Sequence, residues 1–321
     1  METVRVGGRK YTDPDVISLI KATGRLVDPR SSVLSQARNL VAKLSSFEEV
    51  PADAIRRLTI LASIMGIMVE PMDIDRQRSE KRDAILVTTK SKRIILYNPN
   101  RPASRVAFSI AHEISHAFFP NSFSGARFRS ICQSNSKEAN ELERLCDLGA
   151  SELLMPVSAF QRAAASGYSL RNVDTLSAAF GSSYEATVFR LATAHPGTAI
   201  SGLLRYRLTV DEQRRATRTS QGLLFGGDPG LADDLTHAKY RRQSIYLSDA
   251  CGERLTIRWN KSFDEGSCVY EAGRNGGIHF GSEPLPNGSG ISGRLEAVRA
   301  PYQREEAHPE FADVLFFWTV D

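Results

Sequence analysis

Two histidines four residues apart, with a glutamate directly after the first, stand in "AFSIAHEISHAFFP" at residues 107–120. Imidazole nitrogen is a common ligand for zinc. On a helix, residues four apart share a face, so His112 and His116 can both reach one ion. Glu113 is turned from His112 by about 100°, the rotation per residue at 3.6 residues per turn. It can reach a water on the metal without itself being a ligand, and a carboxylate there can act as a base. That arrangement is the HExxH pattern. The competing reading is an accidental group of polar residues on an ordinary helix. The setting favours the metal: the stretch is amphipathic, follows an apolar run, and lies in a chain with only six histidines.

Two histidines do not complete a catalytic zinc site, which has three protein ligands and one open position. The segment "EANELERLCDLGASELL" (138–154) reads as a helix and offers the rest. Glu143 and Asp147 are four apart and share a face. Glu143 is the favoured third ligand and Glu141 the competing one. Asp147, one turn on, can accept a hydrogen bond from the far nitrogen of a ligand histidine and so fix its ring. Without a metal, these acids are a solvated helix face.

The elements around the motif follow from periodicity. "SSVLSQARNLVAKL" (31–44) spaces its apolar residues as a helix after serines suited to capping, and "PADAIRRLTILASIMG" (51–66) reads as a second helix. "IMVEPMD" (67–73), "AILVTTK" (84–90) and "RIILYN" (93–98) read as strands, the last two joined as a hairpin. The strand "RIILYN" is expected to border the cleft with an exposed edge. Tyr97 at its end is a candidate oxyanion or substrate contact, with packing in the hairpin as the plainer role. The polar stretch 121–137, with Arg127 and Arg129, reads as a loop.

Residues 170–194 read as two helices with Gly181 in the turn, suited either to a DNA-reading pair or to a helical hairpin that completes the preceding domain. After Pro196 the chain turns to short β-rich runs, among them "SCVYEAG" and "RLTIRWN". Trp259, Tyr270 and Trp318 there can line a pocket or form core.

The pairing of "RVAFSIAHEISHAFF" with "ELERLCDLGASELLMP" resembles the ImmA/IrrE family of metallopeptidases. Cys146, Asp147, Gly149 and Ala150 look closest to the IrrE branch, the radiation-response regulators of deinococci. The resemblance implies an α+β fold in three parts. These are a zincin-like metallopeptidase domain at 1–156, a helix–turn–helix-like segment at 157–196 and a β-rich, GAF-like sensor or interaction domain at 197–321. It implies zinc, with manganese as the alternative, held by His112, His116 and Glu143, with Glu113 as general base. It also implies a substrate: a helix–turn–helix repressor whose cleavage releases a stress regulon.

Composition sets the frame. Of the 321 residues, 41% are hydrophobic and 24% charged, as in a folded globular protein. The net charge of +4 is mildly basic and does not by itself call for nucleic acid. Four cysteines without a CxxC pair, no apolar signal core and no apolar run of membrane-spanning length lead to the expectation of a cytoplasmic protein with reduced thiols. Other readings are a DNA-binding regulator or ligand-sensing scaffold with a structural metal, and an antitoxin or phage-immunity protease. A DNA contact through 170–194 and a small ligand at the C-terminal domain are the further partners considered.

Overall fold

The computed structural model describes residues 2–24, 27–47, 50–72, 83–89, 92–123, 137–212, 214, 238–251, 255–258, 260–286, 288–302 and 310–320. Arg127 and Arg129, with most of the expected 121–137 loop, lie outside these residues, as does Trp259. The chain is mixed α+β and divides into two compact units, Met1–Arg162 with Thr175–Ser183, and Ala163–Asp174 with Tyr184–Asp321. No helix among the described residues is long and apolar enough to cross a membrane.

The first unit opens with an antiparallel hairpin, β1 (Val4–Val6) and β2 (Arg9–Tyr11). Its turn is Gly7-Gly8, both at positive φ, the region a tight hairpin turn requires and glycine tolerates. Three helices follow: α1 (Pro14–Thr23), α2 (Pro29–Ala42) and α3 (Ala54–Ile64). Each starts on an aspartate whose carboxylate accepts from backbone amides of the first turn: Asp13, Asp28 and Asp53. The serines at 31 and 32 therefore do not cap α2. Asp28 does, with Pro29 at the first helical position, where the missing N–H is no loss.

A three-stranded sheet comes next, from β3 (Met68–Pro71), β4 (Ala84–Thr88) and β5 (Arg93–Tyr97), in the order β3-β5-β4. The hairpin of β4 and β5 is present, with Leu86 opposite Ile95. The expected edge is not where the sequence suggested. "RIILY" is the central strand, because β3 adds in parallel to its outer side, and among the described residues β3 and β4 are the edges. Helix α4 (Ala103–His116) buries Val106, Ala107, Ile110, Ala111 and Ile114 against α3, α5 (Lys137–Leu154) and β4. A short helix, α6 (Val157–Ala163), follows α5.

Two further helices, α7 (Val173–Phe180) and α8 (Tyr184–Thr193), flank Gly181 as expected, but α7 is divided between the two units. In the second unit, α8 lies on a five-stranded antiparallel sheet of β6 (Ala199–Arg207), β7 (Lys239–Leu247), β8 (Ile278–Pro284), β9 (Ser292–Arg299) and β10 (Val314–Thr319), in the order β7-β6-β10-β9-β8. The last helix, α9 (Cys268–Asn275), packs on β8, β9 and β10. The stretch "SCVYEAG", expected as a strand, is this helix. Cys268, Val269 and Ala272 stand at helical spacing and are buried, the Glu283 carboxylate accepts from the first-turn amide of Cys268, and Gly276 follows at positive φ. Central β10 is buried along its whole length, and Tyr270 and Trp318 are core residues packed with Ile200, Leu204 and Leu295.

Candidate metal centre

The centre is built where α4 and α5 cross. The close approach depends on Gly149: a Cβ there would lie 2.6 Å from the Ser115 hydroxyl oxygen and 3.1 Å from a Val33 methyl. Ser115 is fully buried, and its hydroxyl donates to the Ala111 carbonyl at 2.9 Å, one turn back on its own helix. With no side chain at 149, α5 comes close enough for its acids to reach the histidines of α4.

His112 and His116 lie with ring centroids 4.9 Å apart, nearly edge to face. The Nε2 of His112 is 3.1 Å from Glu143 Oε2, and the Nε2 of His116 is 3.8 Å from the other oxygen of the same carboxylate. One carboxylate thus faces both Nε2 atoms. Behind the rings, Nδ1 of His112 is 2.9 Å from Asp147 Oδ1, and Nδ1 of His116 is 3.3 Å from Cys146 Sγ. Glu143, Cys146 and Asp147 stand at i, i+3 and i+4 on one helix face, which is why a single helix reaches both rings.

The electrostatics favour a cation. Burial opposes a charge on His112, but hydrogen bonds to Asp147 and Glu143, with the charges of Asp147 and Glu113, outweigh it and push its pKa up to about 10. Burial also works against the Glu143 carboxylate, yet the His112 hydrogen bond and the His116 charge hold it below its ordinary value. Two imidazoles and three carboxylates therefore concentrate negative potential at this point. This donor set suits zinc, with two nitrogens and one oxygen as ligands and a hydrogen-bond partner behind each imidazole.

Glu113 lies close enough to act on the His112 charge, but it is held from the side of β4. It is 7% exposed, and its Oε2 accepts from the backbone amide of Leu86 at 3.0 Å. That amide is on the side of β4 turned away from β5. Asp83 and Thr89 bond in register with Asn98 and Lys92, so residues 85 and 87 face β5 while 84, 86 and 88 turn their backbone groups outward. The head of β4 is tied to the start of α4 by Asp83, whose carboxylate takes Arg101 at 3.0 Å and Arg105 at 2.5 Å.

Glu141, the competing ligand, is turned to the start of α1, where its carboxylate accepts from the amides of Thr12 and Asp13 at 3.0 and 3.3 Å. Tyr97 is the last residue of β5, half-buried between Ala84 of β4 and Pro71 of β3. Sequence reasoning did not assign a role to the Cys146 thiol, the Leu86 amide or the Ser115–Gly149 contact. A glycine inside a helix that otherwise reads as continuous was the one available signal for the last.

Residues 62–192 match the family model of the IrrE N-terminal-like domain of peptidase M78. No curated protein matches the chain. Among solved structures, the chain is similar to a Mycobacterium tuberculosis transcriptional regulator at TM-score 0.55 and 14% identity, over 95% of this chain and 80% of that one. At that identity the likeness concerns the fold.

Proposed function

We propose that the chain is a zinc-dependent, zincin-like endopeptidase of the HExxH kind that cuts a helix–turn–helix repressor and so releases a stress-response regulon inside the cell. The observation that carries the reading is the convergence of both Nε2 atoms on the Glu143 carboxylate, with the neighbouring Glu113 held by the outward-facing Leu86 amide of β4. His112, His116 and Glu143 would hold the ion. When bound, zinc supplies Lewis acidity that polarises a scissile carbonyl and eases the deprotonation of water. Glu113 takes the proton from the attacking water and passes it to the leaving nitrogen. The outward backbone groups of β4 other than the Leu86 amide, which holds Glu113, bind an extended substrate segment by strand addition, which orients the scissile bond. Manganese is the alternative metal; the stability order of divalent ions favours zinc.

Two observations bear on the other readings. Arg190, the base that a DNA-reading α8 would offer, is 3% exposed, and α8 lies on the sheet of its own unit, which disfavours a DNA contact through this helix. His112, His116 and Cys146 offer ligand atoms within 4.8 Å of one another, which would suit a structural metal instead. The general base next to the site favours the catalytic reading. In the second unit, an antiparallel sheet packed by α8 on β6, β7 and β10 and by α9 on β8, β9 and β10 supports the GAF-like assignment. The solved neighbour is named a transcriptional regulator, which supports a regulatory setting for this chain.

The test is incubation of the zinc-loaded chain with the helix–turn–helix repressors encoded in the same genome. The expected result is one discrete cut in one repressor, abolished by a chelator and restored by zinc. Intact repressors throughout would overturn the substrate assignment.

A further inference from the structure

We propose that Cys146 is the positioning group for His116, a thiol that holds the ring from behind and is not itself a metal ligand. The inference rests on the metal-centre reading above. Its geometry has a built-in comparison. His112 has Glu143 on its Nε2 and Asp147 on its Nδ1. His116 has the same Glu143 on its Nε2 side and Cys146 Sγ at 3.3 Å from its Nδ1. An imidazole offers one nitrogen to an ion, and the other then carries a proton that needs an acceptor. Cys146 stands to His116 as Asp147 stands to His112.

The thiol is near enough to be mistaken for a ligand, since its sulfur and the two imidazoles offer atoms within 4.8 Å of one another. Two observations speak against that role. An ion held by sulfur would have to sit on the Nδ1 side of His116, away from the carboxylate that both Nε2 atoms face. Cys146 is also fully buried, whereas Glu143 is half-exposed, on the side from which water and substrate can arrive. The acceptors behind the two histidines are therefore chemically unlike, a carboxylate for His112 and a sulfur for His116. The sulfur is a weaker acceptor than the carboxylate.

Cobalt(II) separates the two roles, because a thiolate bound to cobalt gives an intense charge-transfer band in the near ultraviolet and a thiol behind an imidazole gives none. The native chain loaded with cobalt is expected to show visible ligand-field bands without the charge-transfer band. Cys146→Ala and Cys146→Val, the first smaller and the second larger than cysteine, are each expected to weaken cobalt and zinc binding by about 10- to 100-fold, the usual effect of removing such a partner. They should also shift the ligand-field bands. Cys146→Ser, which keeps an acceptor, should recover part of the loss. A charge-transfer band in the native chain that disappears in Cys146→Ser would overturn the proposal by making the sulfur a ligand. Unchanged affinity and spectra in both Cys146→Ala and Cys146→Val would overturn it by making the contact idle. Failure of the native chain to bind cobalt or zinc at all would instead remove the metal centre itself, and this inference with it.

Discussion

Replacing Gly149 by alanine sets two known effects against each other. Alanine is the better helix former by about 1 kcal/mol, so an uncrowded Gly149→Ala would stabilise α5. Here the new Cβ would lie 2.6 Å from the Ser115 hydroxyl oxygen, 3.0 Å from Ser115 Cβ and 3.1 Å from Val33 Cγ1. Ordinary contacts between carbons begin near about 3.5 Å. Rotation of Ser115 relieves only the first of these contacts, and at the loss of its bond to Ala111. The helices must therefore separate by several tenths of an ångström, and overpacking of a filled core costs about 1–3 kcal/mol. The difference is a net destabilisation of up to about 2 kcal/mol, the crowding offsetting or exceeding the propensity gain. The same separation draws Glu143 and Asp147 away from His112, so metal affinity should fall along with stability. Urea denaturation of the metal-free protein and competition titration with a zinc chelator read the two effects separately. Adding Ser115→Ala removes the closest atom and should restore part of each. A Gly149→Ala protein as stable as the native chain, with undiminished zinc affinity, would refute the claim that this glycine sets the distance between the helices.

Three further outcomes follow from named contacts. Glu143→Ala should lose zinc with little change in folding, whereas Glu141→Ala should keep zinc but lose roughly 1–3 kcal/mol, because the amides of Thr12 and Asp13 are left without their acceptor; denaturation and metal content distinguish them, and the reverse pattern would exchange the two roles. Leu86→Pro removes an outward amide without touching the bonds between β4 and β5. Relative to Leu86→Ala, it should slow cleavage about tenfold or more, the loss expected for a hydrogen bond to a charged group, with zinc still bound. Equal rates in the two variants would mean that the amide does not hold Glu113. In the second unit, burial, then the charges of Asp174 and Glu296, raise the Tyr184 pKa from 10.0 to about 12, and burial also raises Tyr270 and Tyr302. The unfolded chain loses these protons first, so the stability they contribute is complete below pH 10.0 and is lost as pH rises towards about 12. Denaturation midpoints that stay level from pH 9 to 12 would contradict it.

The meeting of these side chains where α4 and α5 cross was largely legible in the sequence because its spacing is helical. His112 and His116 repeat on one face of α4, and Glu143 and Asp147 on one face of α5, so two local periodicities predicted contacts between residues about thirty apart. The distinction between Glu141 and Glu143 could be argued only by preference, since the partner that claims Glu141 is the start of α1, more than a hundred residues away. Strand order was misread for a related reason. "RIILYN" is apolar enough for either a central or a bordering strand, and its place depends on where β3 adds, which no local pattern specifies. The stretch at 268–275 is short and apolar, the case in which period alone does not separate strand from helix, and the deciding cap comes from Glu283 on β8. The opening hairpin and α1 carried signals that were not used: Gly7-Gly8 for the turn, and Asp13-Pro14 for the helix start.

The most direct test of the central claim is a paired measurement of zinc content and repressor cleavage in the native chain and in Glu113→Ala. Glu113 bonds to the Leu86 amide and stands outside the set of groups that would hold the ion. The account predicts one zinc per chain in both proteins, cleavage by the native chain and none by Glu113→Ala. A Glu113→Ala protein that cuts as fast as the native chain, or a native chain that cuts without zinc, would contradict it.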